Sequence, residues 1–185
     1  MMNDSKFFIE QLFRRQKIIN NIDTGNLINI CKLILKTIKS KKKIFICGNG
    51  GSAAESQHFT AELMVKFKKK RIPIPAICLN TDTSLMTAHS NDFSYDTIFS
   101  RQLEALASKK DLCLLFSTSG KSKNIISAIN TSKKKDVHSI LFTGKKQVTN
   151  LTHIFNAPFE ETDLIQEVHL ILIHIICSYI DKHFD

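Results

Sequence analysis

Two short stretches of this chain carry residue types that could hold an anion and move a proton. In Gly48-Asn49-Gly50-Gly51-Ser52 an apolar run, Ile44 to Cys47, enters a glycine-rich turn, and a helix leaves it opening on Ser52. Glycines in such a turn let backbone N–H groups crowd around a ligand, because no Cβ stands in the way. The helix start adds unpaired amides and the positive end of a dipole. Further along the same helix, His58 and Glu62 fall at i and i+4, on one face. Such a pair can bind a metal ion or transfer protons. An anion cradle joined to it points to a small phosphorylated substrate.

The second stretch is Ser117-Thr118-Ser119-Gly120-Lys121-Ser122, with four hydroxyls in six residues, after the apolar run Leu112 to Phe116 and before another helical pattern. Hydroxyls and amides there can donate to phosphate oxygens, each charge-assisted bond contributing about 1.5–3 kcal/mol. Alone, a Ser/Thr cluster reads more readily as a turn or a helix cap. Beside the glycine turn it reads as a second wall of a phosphate site.

Hydrophobic periodicity predicts the elements that must position these turns. Phe7, Phe8, Leu12, Phe13, Ile18 and Ile19 suggest an amphipathic helix over about 4–21. Leu27, Ile30, Cys31, Ile34 and Ile38 suggest a second over 25–40, completing an N-terminal helical segment of about residues 1–40. Strands are expected near 43–47, 74–79, 111–116, 137–142 and 152–157, and helices near 52–67, 94–107, 122–134 and 161–183. This alternation means βαβ units and a parallel sheet covered on both faces, an α/β fold. Ligands of such sheets bind at the carboxyl ends of the strands, where both turns fall. No linker, repeat or low-complexity segment interrupts the chain, so 1–185 reads as a single domain. The last helix is apolar around most of its circumference, from Ile165 through Ile180, which predicts that neighbouring subunits cover it.

Composition narrows the class. At 185 residues the chain can bury a sizeable core. Its N-terminus shows no signal-like apolar region, and the longest apolar run, 168–180, is only 13 residues, against about 20 for a membrane span. A cytoplasmic location without membrane contact is therefore expected. Five cysteines sit in apolar runs with no CxxC pair, as reduced core residues rather than a disulfide framework or metal knuckle. The net charge is +9, yet only four of 26 basic residues are Arg, and Ile and Asn are abundant. Lys, Ile and Asn share AT-rich codons, so the basicity reads as solvated lysines at element ends, and no nucleic-acid partner is expected.

Together, Gly48-Asn49-Gly50-Gly51-Ser52, Ser117-Thr118-Ser119-Gly120-Lys121-Ser122 and Leu164-Ile165-Gln166-Glu167-Val168-His169 resemble the motifs of sugar-isomerase (SIS) domains, and most closely those of the phosphoheptose isomerases. The likeness spans nearly the whole chain and includes Thr81-Asp82-Thr83-Ser84 and Asn91-Asp92-Phe93. It implies a five-stranded parallel sheet flanked by helices, a flavodoxin-like three-layer sandwich, and a homotetramer with active sites at subunit interfaces. It implies interconversion of sedoheptulose 7-phosphate and D-glycero-D-manno-heptose 7-phosphate, the entry to bacterial heptose precursors of the lipopolysaccharide core. By motif, Asn49, Gly50, Gly51, Ser52, Asn91, Asp92, Ser117, Thr118, Ser119, Ser122 and Gln166 would bind substrate. In many members zinc is held at positions matching His58, Glu62, Gln166 and His174, implying one zinc ion per subunit here.

The residue types agree with that chemistry. Aldose–ketose isomerisation removes a proton beside a carbonyl and returns one to the neighbouring carbon through an enediolate. It needs a base at carbon and a proton donor or Lewis acid at oxygen. Glu62 is the expected base and His174 the expected acid. Gln166 and His174 stand eight residues apart, about 12 Å of helical rise, which points to metal ligands from different subunits. Lys66, Leu164 and Ser90 stand where the family commonly has Arg, Arg and Gly. Two rival readings share the motifs. One is a non-catalytic SIS protein that binds the bacterial replication initiator; such proteins lack the matches to Glu62 and His174 and carry Arg in place of Ser119. The other is an isomerase of a different sugar phosphate.

Overall fold

Along each strand successive side chains turn to opposite faces, and this sorts the core into two layers. In the computed structural model, which describes residues 4–145, 151 and 153–184, five strands form one parallel sheet. They are β1 (Ile44–Gly48), β2 (Ala76–Cys78), β3 (Leu112–Ser117), β4 (His138–Thr143) and β5 (His153–Asn156), in spatial order β2-β1-β3-β4-β5. Ile44, Ile46, Leu112, Leu114, Phe116, Ile140 and Phe142 face α2 (Thr24–Lys39), α3 (Gly51–Met64) and α7 (Thr162–His183). Phe45, Cys47, Cys113, Leu115 and Leu141 face α5 (Ile98–Leu106) and α6 (Lys123–Lys134) on the other side. The expected three-layer α/β sandwich is the observed one.

The strand order sets the site. From β1 the chain runs through α3 to β2 on one side, then returns through α4 (Thr83–Asp92) and α5 to β3 on the other side of β1. Connections that diverge from adjacent strands leave a crevice at their carboxyl ends. That crevice is bounded by Gly48 and Ser117, the last residues of β1 and β3.

Three expectations change. Helix α4 was not expected, because none of its residues is buried and it has no apolar stripe to read. Its start is local, with the Asp82 side chain accepting from the N–H of Leu85 at 2.8 Å. The second change concerns α7. Its Val168, Leu172, Ile173, Ile176 and Ile180 are fully buried within the single chain, packed against α2, α3 and the sheet. Neighbouring subunits are thus not needed to cover that face; Leu170 and Ile175 remain partly exposed. By length and composition α7 is the one helix among the described residues that could cross a membrane, but half of that stretch is buried inside the chain, as in a core helix. Third, exposed apolar side chains cluster on α1 (Asp4–Asn20), where Phe8, Leu12 and Phe13 are 63%, 67% and 61% exposed, although Val65, Ile72 and Phe93 elsewhere are exposed too. Position 152 of the expected last strand and residues 1–3 of the expected N-terminal segment lie outside the described residues.

All five cysteines are free and buried. Burial pushes the Cys31 thiol up to about 11 and the Cys177 thiol to about 12. They are packing groups, not nucleophiles.

Candidate active site

Three helices begin at the crevice, and in none does the N-cap side chain bond the first turn. They are α3 after Gly50, α6 after Ser122 and α7 after Glu161. Their starts surround a cavity of about 310 Å³ lined by Asn49, Gly50, Gly51, Ser52, Phe116, Ser117, Thr118, Ser122, Thr162 and Gln166. Converging positive dipole ends and N-terminal amides suit this cavity to an anion. Hydroxyls complete it: Ser117 Oγ and Ser122 Oγ lie 3.2 Å apart, a spacing at which both can turn to one phosphate.

The glycines are there for geometric reasons. Gly50 has φ +56°, a conformation in which a Cβ is strained. A Cβ on Gly51 would lie 2.9 Å from Cδ and Oε1 of Gln166, so its absence leaves room for the Gln166 amide over the turn. The turn is fixed from both flanks. Asn80 Nδ2 donates to the carbonyl of Gly48 at 2.8 Å, and Asn80 Oδ1 accepts from its N–H at 3.2 Å. Asn49 and Asn124 exchange reciprocal amide bonds of 2.9 Å, and Tyr95 Oη donates to Asn49 Oδ1 at 2.9 Å.

Not every expected substrate ligand gathers in this cavity. Ser119 lines a neighbouring one of about 210 Å³ with Lys121 and Lys145. Asn91 and Asp92 end α4, hydrogen-bonded to each other at 2.8 Å, and Asp92 lines a separate apolar cleft with Phe93 and Arg101. Within one chain they do not reach the cradle.

His58, Glu62 and His174 form a second cluster, outside the cavity lining. His58 Nε2 lies 3.1 Å from His174 Nε2 and 3.5 Å from Glu62 Oε1. The ring of Phe67 stacks on His174, centroids 5.8 Å apart. Two imidazoles and a carboxylate are the donor set of an open catalytic zinc site. The donors thus fit zinc by type. Among the described residues, however, no three His, Cys, Asp or Glu side chains already stand as a metal shell. Gln166 lines the cavity instead, more than two helical turns from His174.

Sequence reading missed Asn80, Tyr95, Asn124 and Thr162. Asn124 had a signal, standing two residues after the Ser/Thr turn, whereas Asn80 and Tyr95 act through contacts no spacing reveals. Of the three departures, Leu164 is buried in the core, Lys66 is exposed after α3, and Ser90 Oγ donates to the Met86 carbonyl at 2.7 Å inside α4.

Comparison with known proteins agrees with this geometry. The profile of the SIS domain matches residues 8–144. A probable phosphoheptose isomerase from Thermoplasma acidophilum is 44% identical over 186 residues, covering 98% of this chain and 100% of that one. The phosphoheptose isomerase of Campylobacter concisus is 44% identical over 165 residues, 86% of each chain. Among solved structures, a phosphoheptose isomerase from Neisseria gonorrhoeae matches with TM-score 0.85 and 35% identity, over 96% of both chains. One from Francisella tularensis matches with TM-score 0.85 at 28% identity, again over 96% of both.

Proposed function

The chain belongs to the SIS-domain family and, within it, to the phosphoheptose isomerases, and from that membership we propose that it interconverts sedoheptulose 7-phosphate and D-glycero-D-manno-heptose 7-phosphate. The observation that carries the reading is the cavity itself, three helix starts and the hydroxyls of Ser117, Thr118 and Ser122 around one space of about 310 Å³. Incubation with sedoheptulose 7-phosphate, and separately with pentose and hexose phosphates, tests it. Conversion of the heptulose phosphate well above the others is expected; preference for a shorter sugar would reassign the substrate.

In this mechanism the cradle holds the phosphate and leaves the other end of the sugar free to meet base and acid. Glu62 takes the proton from C1 of the ketose, and the resulting enediolate is protonated at C2 to give the aldose. His174 exchanges a proton with the substrate oxygens. A zinc ion held by His58, Glu62 and His174 would polarise the substrate carbonyl. Differential scanning fluorimetry tests that assignment without activity. Zinc added to chelator-treated protein is expected to raise the melting temperature of the wild type and not of His58→Gln. Equal shifts in both would place the metal elsewhere.

Ser122→Ala is expected to weaken binding of the sugar phosphate by about 1–3 kcal/mol, while Ser119→Ala, in the neighbouring cavity, changes it less. Calorimetric titration of both variants checks this. A larger loss from Ser119→Ala would move the phosphate out of the cradle.

Because the base and acid lie outside the cavity lining of their own chain, we further propose a homotetramer whose cradles meet these groups from a neighbouring copy. The exposed Phe8, Leu12 and Phe13 of α1 support such assembly. A cytoplasmic role in supplying heptose for lipopolysaccharide, without membrane or nucleic-acid partner, follows from the same reading.

A further inference from the structure

The loop between α3 and β2 holds an ion pair that the chemistry above does not use. The Arg71 side chain is fully buried and that of Asp181 is 9% exposed. Arg71 Nε donates to Asp181 Oδ1 at 3.2 Å, Nη1 to the carbonyl of Leu63 at 2.8 Å, and Nη2 to the carbonyl of Glu62 at 2.6 Å. Asp181 Oδ2 accepts from the backbone N–H groups of Lys68 and Lys69, each at 2.9 Å. One guanidinium thus ties the last turn of α3, the following loop and the final turns of α7 together.

The carbonyls of Glu62 and Leu63 are among the last four of α3, which have no intrahelical partner. Such ends fray unless something holds them. The side chain of Glu62 hangs on this turn, while His174 stands on α7 two turns before Asp181 and is stacked by Phe67 of the same loop. A buried ion pair adds little net stability over apolar packing; what it fixes is geometry. We propose that Arg71 and Asp181 are positioning residues, setting the Glu62 carboxylate against His174 and His58. This rests on the reading of Glu62 as the base.

Arg71→Lys keeps the charge but loses the planar fork that spans two carbonyls and a carboxylate. Asp181→Asn keeps the shape, but its one oxygen can serve the two loop amides or Arg71 Nε, not both sides at once. Misplacing a catalytic group by about 1 Å can cost about 100-fold in rate. In both variants kcat is therefore expected to fall about 10- to 100-fold, with the KM for sedoheptulose 7-phosphate within about threefold, since the cradle lies at the other end of α3. Circular dichroism establishes folding at the assay temperature, and if Arg71→Lys does not fold, Asp181→Asn decides. A kcat within twofold of wild type in a folded variant, or a matched change in kcat and KM, overturns the proposal. Glu62→Gln is measured in parallel. Near-normal activity in that variant overturns the base reading, whereas its loss beside normal Arg71→Lys and Asp181→Asn enzymes overturns the positioning role alone.

Discussion

Glu62→Gln is expected to lower turnover by about 10²–10⁴ while the sugar phosphate still binds. The amide keeps the shape of the side chain and gives up its basicity. The Glu62 carboxylate is only partly exposed and lies 3.5 Å from His58 Nε2, so the substitution removes the cluster's one carboxylate while leaving its neighbours in place. The phosphate contacts are made elsewhere, by residues lining the crevice between β1 and β3. A step that loses its base while binding persists shows a lowered kcat with little change in KM. Steady-state kinetics on this variant separate the two. Near-normal turnover would mean that another group removes the proton, and a rise in KM with unchanged kcat would make Glu62 a binding residue.

Ile173→Asp is expected to prevent stable folding, not merely to separate subunits. Ile173 is 0% exposed in the single chain, within the layer formed by α2, α3 and α7. An unpaired carboxylate there costs several kcal/mol, on a domain whose whole stability is about 5–15 kcal/mol. Leu12→Asp is the contrasting change. Leu12 is 67% exposed on α1, so a charge there leaves the fold intact and is expected to split the assembly. Circular dichroism and light scattering on both variants check this. A folded but dissociated Ile173→Asp would return α7 to the interface, and a Leu12→Asp protein of wild-type mass would remove α1 from it.

These two sites show where sequence reasoning reaches and where it stops. The alternation of short apolar runs with helical patterns was enough for the parallel sheet, because each βαβ unit writes its own periodicity. The two turns were legible because glycine at Gly50 and hydroxyls at Ser117 and Ser122 have few other reasons to stand at strand ends. Helix α4 was not legible, since a helix that buries nothing carries no stripe, and only the Asp82 cap marks it. An apolar helix such as α7 reads the same in sequence whether a sheet or another subunit covers it. Asn91, Asp92 and Ser119 were placed with the cradle by motif, yet the single chain holds them apart from it, and no spacing in the sequence encodes that separation. The Arg71–Asp181 pair joins residues 110 positions apart. Nothing local announces it.

Isomerisation of sedoheptulose 7-phosphate in D₂O, followed by NMR, tests the central claim most directly. The wild-type protein is expected to form the seven-carbon aldose 7-phosphate with solvent deuterium at C2, the mark of a proton removed by a side-chain base and returned through an enediolate. Folded wild-type protein that forms no aldose phosphate from this substrate would contradict the account.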